Sequence, residues 1–555
     1  MNKADKIIIN KNSRFTEAIA ILNKTKERML ICVDKNQKIV GVLNDGDIRR
    51  AFLKGAKVNE KIEKYINTDF TSKNINTSKR EALDYLNQKI QVLPIIDLND
   101  KVLGYYSLRD YEYSNKLLSK KSVTIIGMGY VGLTLALTLS ENSFLVYGYD
   151  INKKTINRLN SGDPTIYEEG IKKKLDYNLK KTFWPVNSLE KNLSSIYIVA
   201  VGTPIKSNKQ PNLNHLKKVI KELGNIIENN DLILMRSTIP VGTTKNLVVR
   251  ELEKISGLKC GKDFFVSFAP ERTAEGKALE ELKTNPQIIG AYDQKSLELS
   301  TAFFNTFIKT IIQVESLEAA ELCKLIDNTY RDHKFSYVNQ LIPFTEKIGV
   351  DLVELIRAVN VGYPRNNIPV PSPGVGGPCL SKDPYILIND FKKYKIKNTL
   401  IKEVRNTNTF PINYLQKKII SILKKINKKK WNKLKVFVLG IAFKGDPETS
   451  DMRDSTSMLL IKKLSQLKNI FVYDSVIKNN ELKKEGLKPV TIKKGFENAD
   501  LVIFLNNHKS FKNLNITSLS KKMNKPGAIM DTWHIFDPIE IKQLKNIYFS
   551  GLGND

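Results

Sequence analysis

Cysteine is scarce and scattered in this chain of 555 residues. Its four cysteines are Cys32, Cys260, Cys323 and Cys379, and no two of them form a CxxC pair. Disulfide frameworks and cysteine-ligated zinc sites depend on closely spaced cysteines. The sequence therefore predicts no disulfide framework and no metal site. The scarcity is typical of a reducing compartment, which we expect to be the cytoplasm.

Long apolar runs are missing as well. No run of about 18 or more apolar residues occurs, so we expect no membrane-spanning helix. The opening residues, MNKADKIIIN, do not have the form of a signal peptide. With 41% hydrophobic and 26% charged residues, the composition is that of a globular protein, and the length fits three or four domains.

Acidic residues are outnumbered by basic ones, 58 against 89, which gives a formal net charge of +31. Most of the surplus is lysine spread along every segment, and no arginine-rich stripe alternates with aromatic residues. Nucleic-acid interfaces concentrate their basic residues on one face. We therefore expect a lysine-rich solvated surface and no nucleic-acid partner, although part of the charge favours the approach of a nucleotide.

The first 118 residues contain an internal repeat with a shift of 63 positions. Gly41 corresponds to Gly104, and Asp47 corresponds to Asp110. Each copy is predicted as helix, strand, turn, strand and helix. Two units of this size must pack together to bury a core, so the repeat predicts an α+β module over residues 1–118.

The second copy of the repeat carries the pattern Gly-x-x-(Ser/Thr)-x-x-Asp at positions 104–110, and the pair resembles tandem CBS domains. The resemblance implies that Ser107 contacts a phosphate and Asp110 a ribose of an adenine nucleotide. In the first copy, Asp47 is the matching aspartate, but Asn44 replaces the hydroxyl residue. The alternative is a structural module that binds nothing.

Residues 121–309 are predicted to form a dinucleotide-binding domain. A buried strand is followed by GMGYVG at positions 127–132, a helix, and a second strand that ends at Asp150. The glycines serve the turn, the pyrophosphate and the helix packing, and the acid binds ribose hydroxyls. No arginine follows Asp150 closely, which favours NAD over NADP. The predicted cofactor contacts are Gly127, Gly129, Tyr130, Val131, Gly132 and Asp150.

Three further predicted strands end in polar loops that contain Thr203, Thr238 and Glu271. In an open parallel sheet, the carboxyl ends of the strands face the ligand. We therefore expect these side chains near the nicotinamide. Each of them could instead be a turn residue or a helix cap.

A long helix from Glu315 to about Lys347 is predicted next, with Lys324 and Asn328 on one face. A glycine- and proline-rich loop at positions 371–384 follows and contains Cys379. A helix that begins near residue 380 would place the thiol at its amino end, where free N–H groups favour a thiolate. This pattern indicates a covalent nucleophile; the alternative is a buried, inert cysteine.

These motifs together resemble the UDP-glucose/GDP-mannose dehydrogenase family, from about residue 121 to the C-terminus. Six motifs occur in the same order as in that family. They are the fingerprint at 127–132, VGTP at 201–204, STIP at 237–240, Pro-Glu at 270–271, Lys-x-x-x-Asn at 324–328 and GGPC at 376–379. Residues 270–276 and 363–365 are most similar to the branch that acts on UDP-N-acetylhexosamines.

The resemblance implies an α/β fold in which two Rossmann-like, doubly wound domains are joined by a long central helix and preceded by the CBS pair. The expected domains are the CBS pair at 1–118, the NAD domain at 121–309, a central dimerisation domain at 310–399, and a UDP-sugar domain at 400–555. The last of these follows a lysine-rich linker around 424–430. A homodimer or higher homo-oligomer is expected.

The implied reaction oxidises the C6 hydroxymethyl of a nucleotide sugar to a carboxylate for surface polysaccharide precursors. Removal of four electrons requires two NAD in turn, and a cysteine thiohemiacetal and thioester retain the half-oxidised sugar. Alternatives are a UDP-glucose or GDP-mannose dehydrogenase, a two-electron oxidoreductase, or a silent homologue that senses nucleotides.

The resemblance also assigns roles to individual residues. The nucleophile is Cys379; the residues that hold water or assist proton removal are Asp383 and Thr238; the oxyanion is stabilised by Lys324 and Asn328. Thioester hydrolysis is assigned to Glu271, with Glu275 as the lesser candidate. The expected substrate contacts are Arg365, Gly376 and Lys444, and the remaining cofactor contacts are Lys382 and Arg453.

Overall fold

The structure is a computed structural model that describes residues 2–25, 27–77, 82, 85–86, 90–107 and 122–553. The chain separates into two compact units, residues 1–120 and 121–555. The predicted nucleotide contact Asp110 lies outside the described residues.

The first unit contains two small sheets built from the repeat. Its strands are β1 (Asn2–Lys3), β2 (Ile8–Asn10), β3 (Met29–Val33), β4 (Ile39–Asn44), β5 (Lys73–Asn74), β6 (Val92–Ile96) and β7 (Val102–Ser107). The helices are α1 (Phe15–Thr25) and α2 (Asp45–Leu53), with short 3₁₀ turns at Ala4–Lys6 and Ile62–Tyr65. The sheet orders are β2-β3-β4 and β1-β7-β6-β5.

The two sheets repeat with the predicted shift. β3 and β4 begin and end 63 residues before β6 and β7, and both hairpins carry a bulge at the same place, after Cys32 and after Ile95. In both hairpins the residue before the bulge pairs with a glycine, Gly41 or Gly104. The repeat in the sequence is therefore a repeat of local structure.

The second unit begins with the larger of its two sheets. The strands are β8 (Ser122–Ile126), β9 (Leu145–Tyr149), β10 (Phe183–Val186), β11 (Ile196–Val199), β12 (Leu232–Met235), β13 (Phe265–Phe268), β14 (Gln287–Ala291) and β15 (Ile311–Gln313). The order is β10-β9-β8-β11-β12-β13-β14-β15, in which β13 and β14 pair antiparallel and the other neighbours pair parallel. The strand order reverses at β8, and ligands of such sheets bind beyond the carboxyl ends of the strands there.

Helices cover this sheet on both faces, as a doubly wound fold requires. They are α3 (Tyr130–Glu141), α4 (Lys153–Asn160), α5 (Ile171–Asn178), α6 (Asn214–Gly224), α7 (Arg250–Ser256), α8 (Ala278–Thr284) and α9 (Gln294–Phe304), and a π-helix, Thr244–Val249, precedes α7. One core packs the apolar faces of β11, β12 and α6 together, with Val199, Ile220 and Ile233 fully buried.

The long central helix is present, but it ends earlier than predicted. It spans α10 (Leu317–Asn339), and a separate helix α11 (Ile342–Ile348) follows. Pro343 lies in the first turn of α11. Its ring excludes the carbonyl of the residue four positions earlier, and it has no N–H to continue the ladder. This explains why one predicted helix is two.

Three more helices complete the central region: α12 (Leu352–Asn360), α13 (Asp383–Lys393) and α14 (Leu400–Ile426). The predicted lysine-rich linker at 424–430 begins inside α14, whose last turn contains Lys424 and Lys425. Apolar residues of α14, including Leu415 and Ile419, pack in one core with the C-terminal sheet.

The C-terminal sheet is the predicted second doubly wound domain. Its strands are β16 (Lys435–Leu439), β17 (Asn469–Tyr473), β18 (Leu501–Phe504), β19 (Gly527–Asp531) and β20 (Ile547–Gly551), all parallel in the order β17-β16-β18-β19-β20. The helices are α15 (Thr456–Lys463), α16 (Asn479–Lys484), α17 (Ile492–Phe496), α18 (Ile516–Ser520) and α19 (Pro538–Lys542), with 3₁₀ turns at Trp431–Lys433 and Lys509–Asn513.

Candidate functional site

The three glycines after β8 fulfil three different requirements. Gly127 has a φ of +103°, which suits glycine, and a Cβ there would lie 2.8 Å from the carbonyl oxygen of Ala200. A Cβ on Gly132 would lie 1.8 Å from the carbonyl oxygen of Gly127, so helix and turn pack too closely for a side chain. At Gly129 no atom of the described residues lies within 4 Å of such a Cβ, apart from adjoining residues. That space admits a pyrophosphate at the amino end of α3.

A pocket of about 470 Å³ runs from this turn to the cysteine loop. Asp150 lines it just beyond β9, where its carboxylate accepts hydrogen bonds from the N–H groups of Met128 and Asn152, both at 2.8 Å. Tyr130 and Val131 line it as well. The acid and the open glycine therefore lie where an NAD ribose and pyrophosphate are expected, and these residues fit that cofactor.

The polar residues at the strand ends line the same pocket. Thr203, Thr238 and Glu271 all line it, as predicted. The Thr203 hydroxyl donates to the Thr238 carbonyl, which fixes one loop to the next. Arg236, the residue after β12, also lines the pocket and was not predicted. Its position at a strand end, directly before Ser237 and Thr238, was the feature of the sequence that could have predicted this.

Glu271 is held as a charged group. Its carboxylate forms a buried ion pair with Arg236 and accepts the Thr273 N–H at 2.7 Å. Burial favours the neutral acid, but the charge and hydrogen bond of Arg236 outweigh it, so the pKa of Glu271 lies below its usual range. A carboxylate of this kind is a weak base.

Glu275 lies in the opposite electrostatic environment. Burial, followed by the nearby Asp451 carboxylate, raises its pKa to about 7, while Arg453 and Lys444 oppose the shift. The Thr449 hydroxyl donates to its side chain at 3.2 Å. Glu275 lines the same pocket and can gain or lose a proton near neutral pH.

The cysteine loop completes the pocket. Lys324, Cys379 and Lys382 line it, and Arg453 enters from the C-terminal domain. Cys379 is exposed toward the pocket and surrounded by protein elsewhere. The distant motifs of the sequence therefore meet in one cavity.

The helix that was expected to favour a thiolate at Cys379 begins later than predicted. The helix α13 begins at Asp383, four residues after Cys379, and the backbone oxygen of Cys379 accepts N–H bonds from that turn, at 2.9 Å from Asp383. Burial raises the pKa of the Cys379 thiol, and the Asp383 carboxylate raises it further; Lys324 and Lys382 lower it only in part. Burial and Asp383 therefore disfavour the thiolate, and a reactive thiolate at Cys379 stays a prediction.

Asn328 and Asp383 are joined directly. The amide nitrogen of Asn328 donates to Asp383 at 2.5 Å, and Lys382 pairs with the other carboxylate oxygen at 2.5 Å. Arg331, one turn further along α10, donates to the amide oxygen of Asn328. Arg331 was also missed, although its spacing of three from Asn328 places it on the same face.

Comparison with known proteins identifies the family. Sequence profiles for the NAD binding, central and UDP binding domains of the UDP-glucose/GDP-mannose dehydrogenase family match residues 121–308, 318–410 and 437–538. UDP-N-acetyl-D-mannosamine dehydrogenase of Pyrococcus horikoshii is 32% identical over 404 residues, which are 72% of this chain and 93% of the relative. This chain belongs to the UDP-glucose/GDP-mannose dehydrogenase family. It is an NAD-dependent nucleotide-sugar dehydrogenase, and a CBS profile matches residues 1–54.

Another relative and two solved structures support the same family assignment. The UDP-N-acetyl-D-mannosamine dehydrogenase of Campylobacter jejuni is 30% identical, over 70% of this chain and 96% of the relative. The P. horikoshii structure superposes with a TM-score of 0.69 at 30% identity, over 78% of this chain and 99% of its own. The structure of UDP-N-acetyl-mannosamine dehydrogenase from Staphylococcus aureus superposes with a TM-score of 0.67 at 28% identity, over 78% of this chain and 99% of its own.

The three residues predicted to contact the substrate of this dehydrogenase are not among those that line the pocket. Arg365 is exposed on a loop and lies over the Tyr363 ring, 4.6 Å from its centroid. A Cβ on Gly376 would lie 2.4 Å from the Asp454 carbonyl oxygen, so this glycine serves the packing of the loop. Lys444 donates to the Glu275 carbonyl oxygen at 2.7 Å.

Two residues of the nucleotide signature in the first CBS copy form hydrogen bonds within the protein. Asn44 and Asp47 cap α2 reciprocally: each side chain accepts the other's backbone N–H, at 2.8 and 3.0 Å. Asp47 also accepts a bond from Arg50 at 2.5 Å. Asp47 therefore has a structural role in the cap, and its nucleotide contact stays a prediction. In the second copy, the buried Ser107 hydroxyl donates to Glu27 at 3.3 Å.

The described parts of the chain contain neither a candidate membrane span nor a candidate metal site. No helix there is long and apolar enough to cross a bilayer. Within the same residues, no group of three or more His, Cys, Asp and Glu side chains could hold a metal ion.

Proposed function

We propose that this dehydrogenase oxidises the C6 hydroxymethyl of a UDP-N-acetylhexosamine to the carboxylate, with Cys379 as a covalent nucleophile. The observation that supports it best is that Thr238, Lys324 and Cys379 line one pocket together with the fingerprint glycines Gly127 and Gly129. The named relatives act on UDP-N-acetyl-D-mannosamine, so this sugar is the first substrate to test. Cytoplasmic location and a role in surface polysaccharide remain predictions.

Two oxidations must occur at one carbon. Bound NAD accepts a hydride in each of them. In the first, the alcohol gives its proton to the water that Asp383 and Thr238 are proposed to hold and gives a hydride to the cofactor, and so becomes an aldehyde. The Cys379 thiolate then adds to the aldehyde carbon, and loss of the second hydride converts the adduct into a thioester. Water cleaves the carbon–sulfur bond, which releases the acid and restores the thiolate.

The cation and the amide of α10 suit the oxyanion of the adduct. Lys324 is buried and lines the pocket. The Asn328 amide gives its oxygen to Arg331 and one N–H to Asp383, so its second N–H is the one left for the predicted oxyanion contact. Asn328 is fully buried and does not line the pocket. Lys324 and Lys382 also favour the thiolate, against the burial that disfavours it.

Glu275 is the better base for thioester hydrolysis. A general base is most effective when its pKa lies near the working pH. The pKa of Glu275 is about 7, whereas Arg236 keeps the pKa of Glu271 below its usual range. We therefore assign water activation to Glu275 and a fixed negative charge to Glu271, which reverses the order expected from the sequence.

A second copy of this chain is the proposed partner of the central helices. Large apolar side chains are exposed along α10 and α11 at helical spacings: Ile326, Tyr330, Tyr337, Phe344 and Ile348, between 50% and 62% exposed. An exposed apolar stripe of this length marks an interaction surface. Two such stripes would cover each other in a symmetric dimer.

A substrate panel tests the proposed function. The full-length protein is mixed with NAD+ and one sugar nucleotide at a time, and NADH is counted by absorbance. We expect two NADH per molecule of a UDP-N-acetylhexosamine and little with UDP-glucose or GDP-mannose. One NADH per sugar would indicate a two-electron oxidoreductase, and none with any sugar would indicate a silent homologue.

A further inference from the structure

The turn after β12 carries Thr238 into the pocket and continues into the π-helix. Residues 238–244 form it, and the Thr203 hydroxyl holds the carbonyl of its first residue. The π-helix starts at Thr244. Short π-helical segments often occur at functional sites, so the contacts that hold this turn bear on the reaction.

One buried carboxylate holds the far end of the turn. Glu321 of α10 is 1% exposed and accepts bonds from the Gly242 N–H at 2.5 Å, the Thr244 N–H at 2.8 Å and the Thr244 hydroxyl at 2.6 Å. Gly242 has a φ of +83°, a conformation that favours glycine. Bonds to an ionised acceptor are stronger than bonds between neutral groups.

The same helix face carries the residues assigned to the oxyanion. Glu321, Lys324 and Asn328 are separated by three and four positions, so they lie on one face of α10, and all three are buried. Thr238 and Lys324 line the same pocket. Fixing Glu321 to the turn therefore fixes the separation of Thr238 and Lys324.

A second helix holds the turn from another side. The Asp390 carboxylate of α13 accepts the Val241 N–H at 3.0 Å, and Asp390 is itself buried. The first residue of α13 is Asp383. Each helix that supplies a predicted catalytic side chain thus also supplies a carboxylate to the turn.

We propose that Glu321 is a positioning residue of the dehydrogenase, whose ionised carboxylate holds the turn of residues 238–244 against α10 and so sets Thr238 at its working distance from Lys324. The inference rests on the proposed function. It extends that function by a residue that neither lines the pocket nor belongs to a motif recognised in the sequence.

The energetics favour a role in positioning over one in stability. Burial raises the pKa of Glu321 to about 7, against the bonds from Thr244 and Gly242, and Glu318 adds to the rise. A raised pKa means that folding favours the neutral acid. The ionised form therefore costs stability as the pH rises through about 7. A charge kept in the interior at a cost in stability is typical of functional sites.

The test replaces Glu321 by glutamine, with Glu318→Gln as the matched control on the same helix. Glutamine keeps the size but replaces one of the two acceptor oxygens by an NH2 donor, which cannot accept from the turn's N–H groups. We expect Glu321→Gln to lower kcat by about 10- to 100-fold, because a displacement of about 1 Å at a reacting group can cost that much. The Kd for NAD+ and the KM for the sugar should change less than about twofold. Glu318→Gln removes only a minor contribution to the raised pKa of Glu321, which favours the ionised form, so its kcat should equal or slightly exceed that of the wild type.

Thr244→Val provides a second variant that keeps the side-chain shape. It removes one donor of three, so we expect a smaller fall in kcat in the same direction. All rates are divided by the concentration of sites that bind NAD+, which removes any contribution from unfolded protein. A kcat per site equal to that of the wild type in both variants would overturn the proposal.

Hydrogen exchange gives a readout that does not need turnover. We expect the backbone amides of residues 241–244 to exchange at least about tenfold faster in Glu321→Gln than in Glu318→Gln. Unchanged exchange would overturn the clamp even if the enzyme is active. A wild type that forms no NADH with any UDP-sugar would refute the proposed function, while exchange would still decide whether Glu321 holds the turn.

Discussion

At the residue scale, two carboxylates four positions apart have different protonation states because their neighbours differ. Glu271 faces a buried arginine and remains charged, whereas Glu275 lies beside Asp451 and has a pKa of about 7. Environments that separate the pKa values of paired acids often separate their roles. This contrast is what assigns the base, since both residues line one pocket.

Replacement of Glu275 by glutamine tests that assignment. Because a base acts when ionised, thioester hydrolysis should rise with pH through about 7 and level off above it. Glu275→Gln should lower the plateau by about 100-fold or more and abolish the rise. The measurement is acid release from a preformed acyl-enzyme in single turnover, where Cys379 no longer titrates. An unchanged profile would return the role to Glu271, and the exposed Glu280→Gln is the control.

Single residues also show where the sequence was not enough. Cys379, Lys324 and Asp150 could be predicted because each belongs to a local motif. Glu321 could not, since a glutamate on a helix is usually solvated, and its donors are 77 and 79 residues away in the chain. The pKa of Cys379 could not be predicted because it depends on burial and on Asp383, neither of which the loop sequence reveals.

At the element scale, the turn after β8 can be tested with a pair of alanine substitutions. Gly132→Ala would bring a methyl group within 1.8 Å of a backbone oxygen, so we expect a loss of about 1–3 kcal/mol in unfolding free energy. Gly129→Ala meets open space, so the melting temperature should stay near that of the wild type while NAD+ affinity falls at least tenfold.

Calorimetry and NAD+ titration measure both variants. The pair separates the effect of packing from the effect of ligand contact. The added methyl group meets the backbone at residue 132 and open pocket space at residue 129. Equal melting temperatures together with equal NAD+ affinities would contradict the assignment of the two glycines.

Elements with a clear period or a local signature were predictable. The strand, glycine turn and helix of the NAD domain and the 63-residue repeat are both in place. The end of α10 was not, because Pro343 sits inside an otherwise helical pattern and only the structure shows which turn it breaks. The Asn44 and Asp47 cap follows a known local pattern, which went unpredicted because the same residues were assigned to the nucleotide signature.

At the scale of the whole molecule, the apolar stripe on α10 and α11 predicts association. Tyr330→Glu combined with Phe344→Glu would place two charges inside a dimer interface, so we expect light scattering to show a monomer in place of a dimer. Tyr548→Glu, 57% exposed on β20 and not part of the stripe, should leave the mass unchanged. A wild type that is monomeric, or a double variant that stays dimeric, would contradict this surface.

The CBS unit predicts a response to adenine nucleotides. AMP, ADP or ATP at about 100 times its Kd would stabilise that unit by about 2.7 kcal/mol, which a thermal melt detects. Ser107→Ala should reduce the shift. Asp47→Ala should lower stability by about 1 kcal/mol through loss of the cap but leave the nucleotide shift intact. If no nucleotide changes either the melt or the rate of NADH formation, the unit is structural.

The most direct test of the account is acid formation by Cys379→Ser. In the wild type, every sugar oxidised should yield a carboxylate and two NADH. In Cys379→Ser, we expect acid formation to fall by about a thousandfold or more, because no thioester can form, while an aldehyde-level species accumulates and mass spectrometry detects it. Acid formation by Cys379→Ser at the rate of the wild type would show that the oxidation does not pass through this thiol.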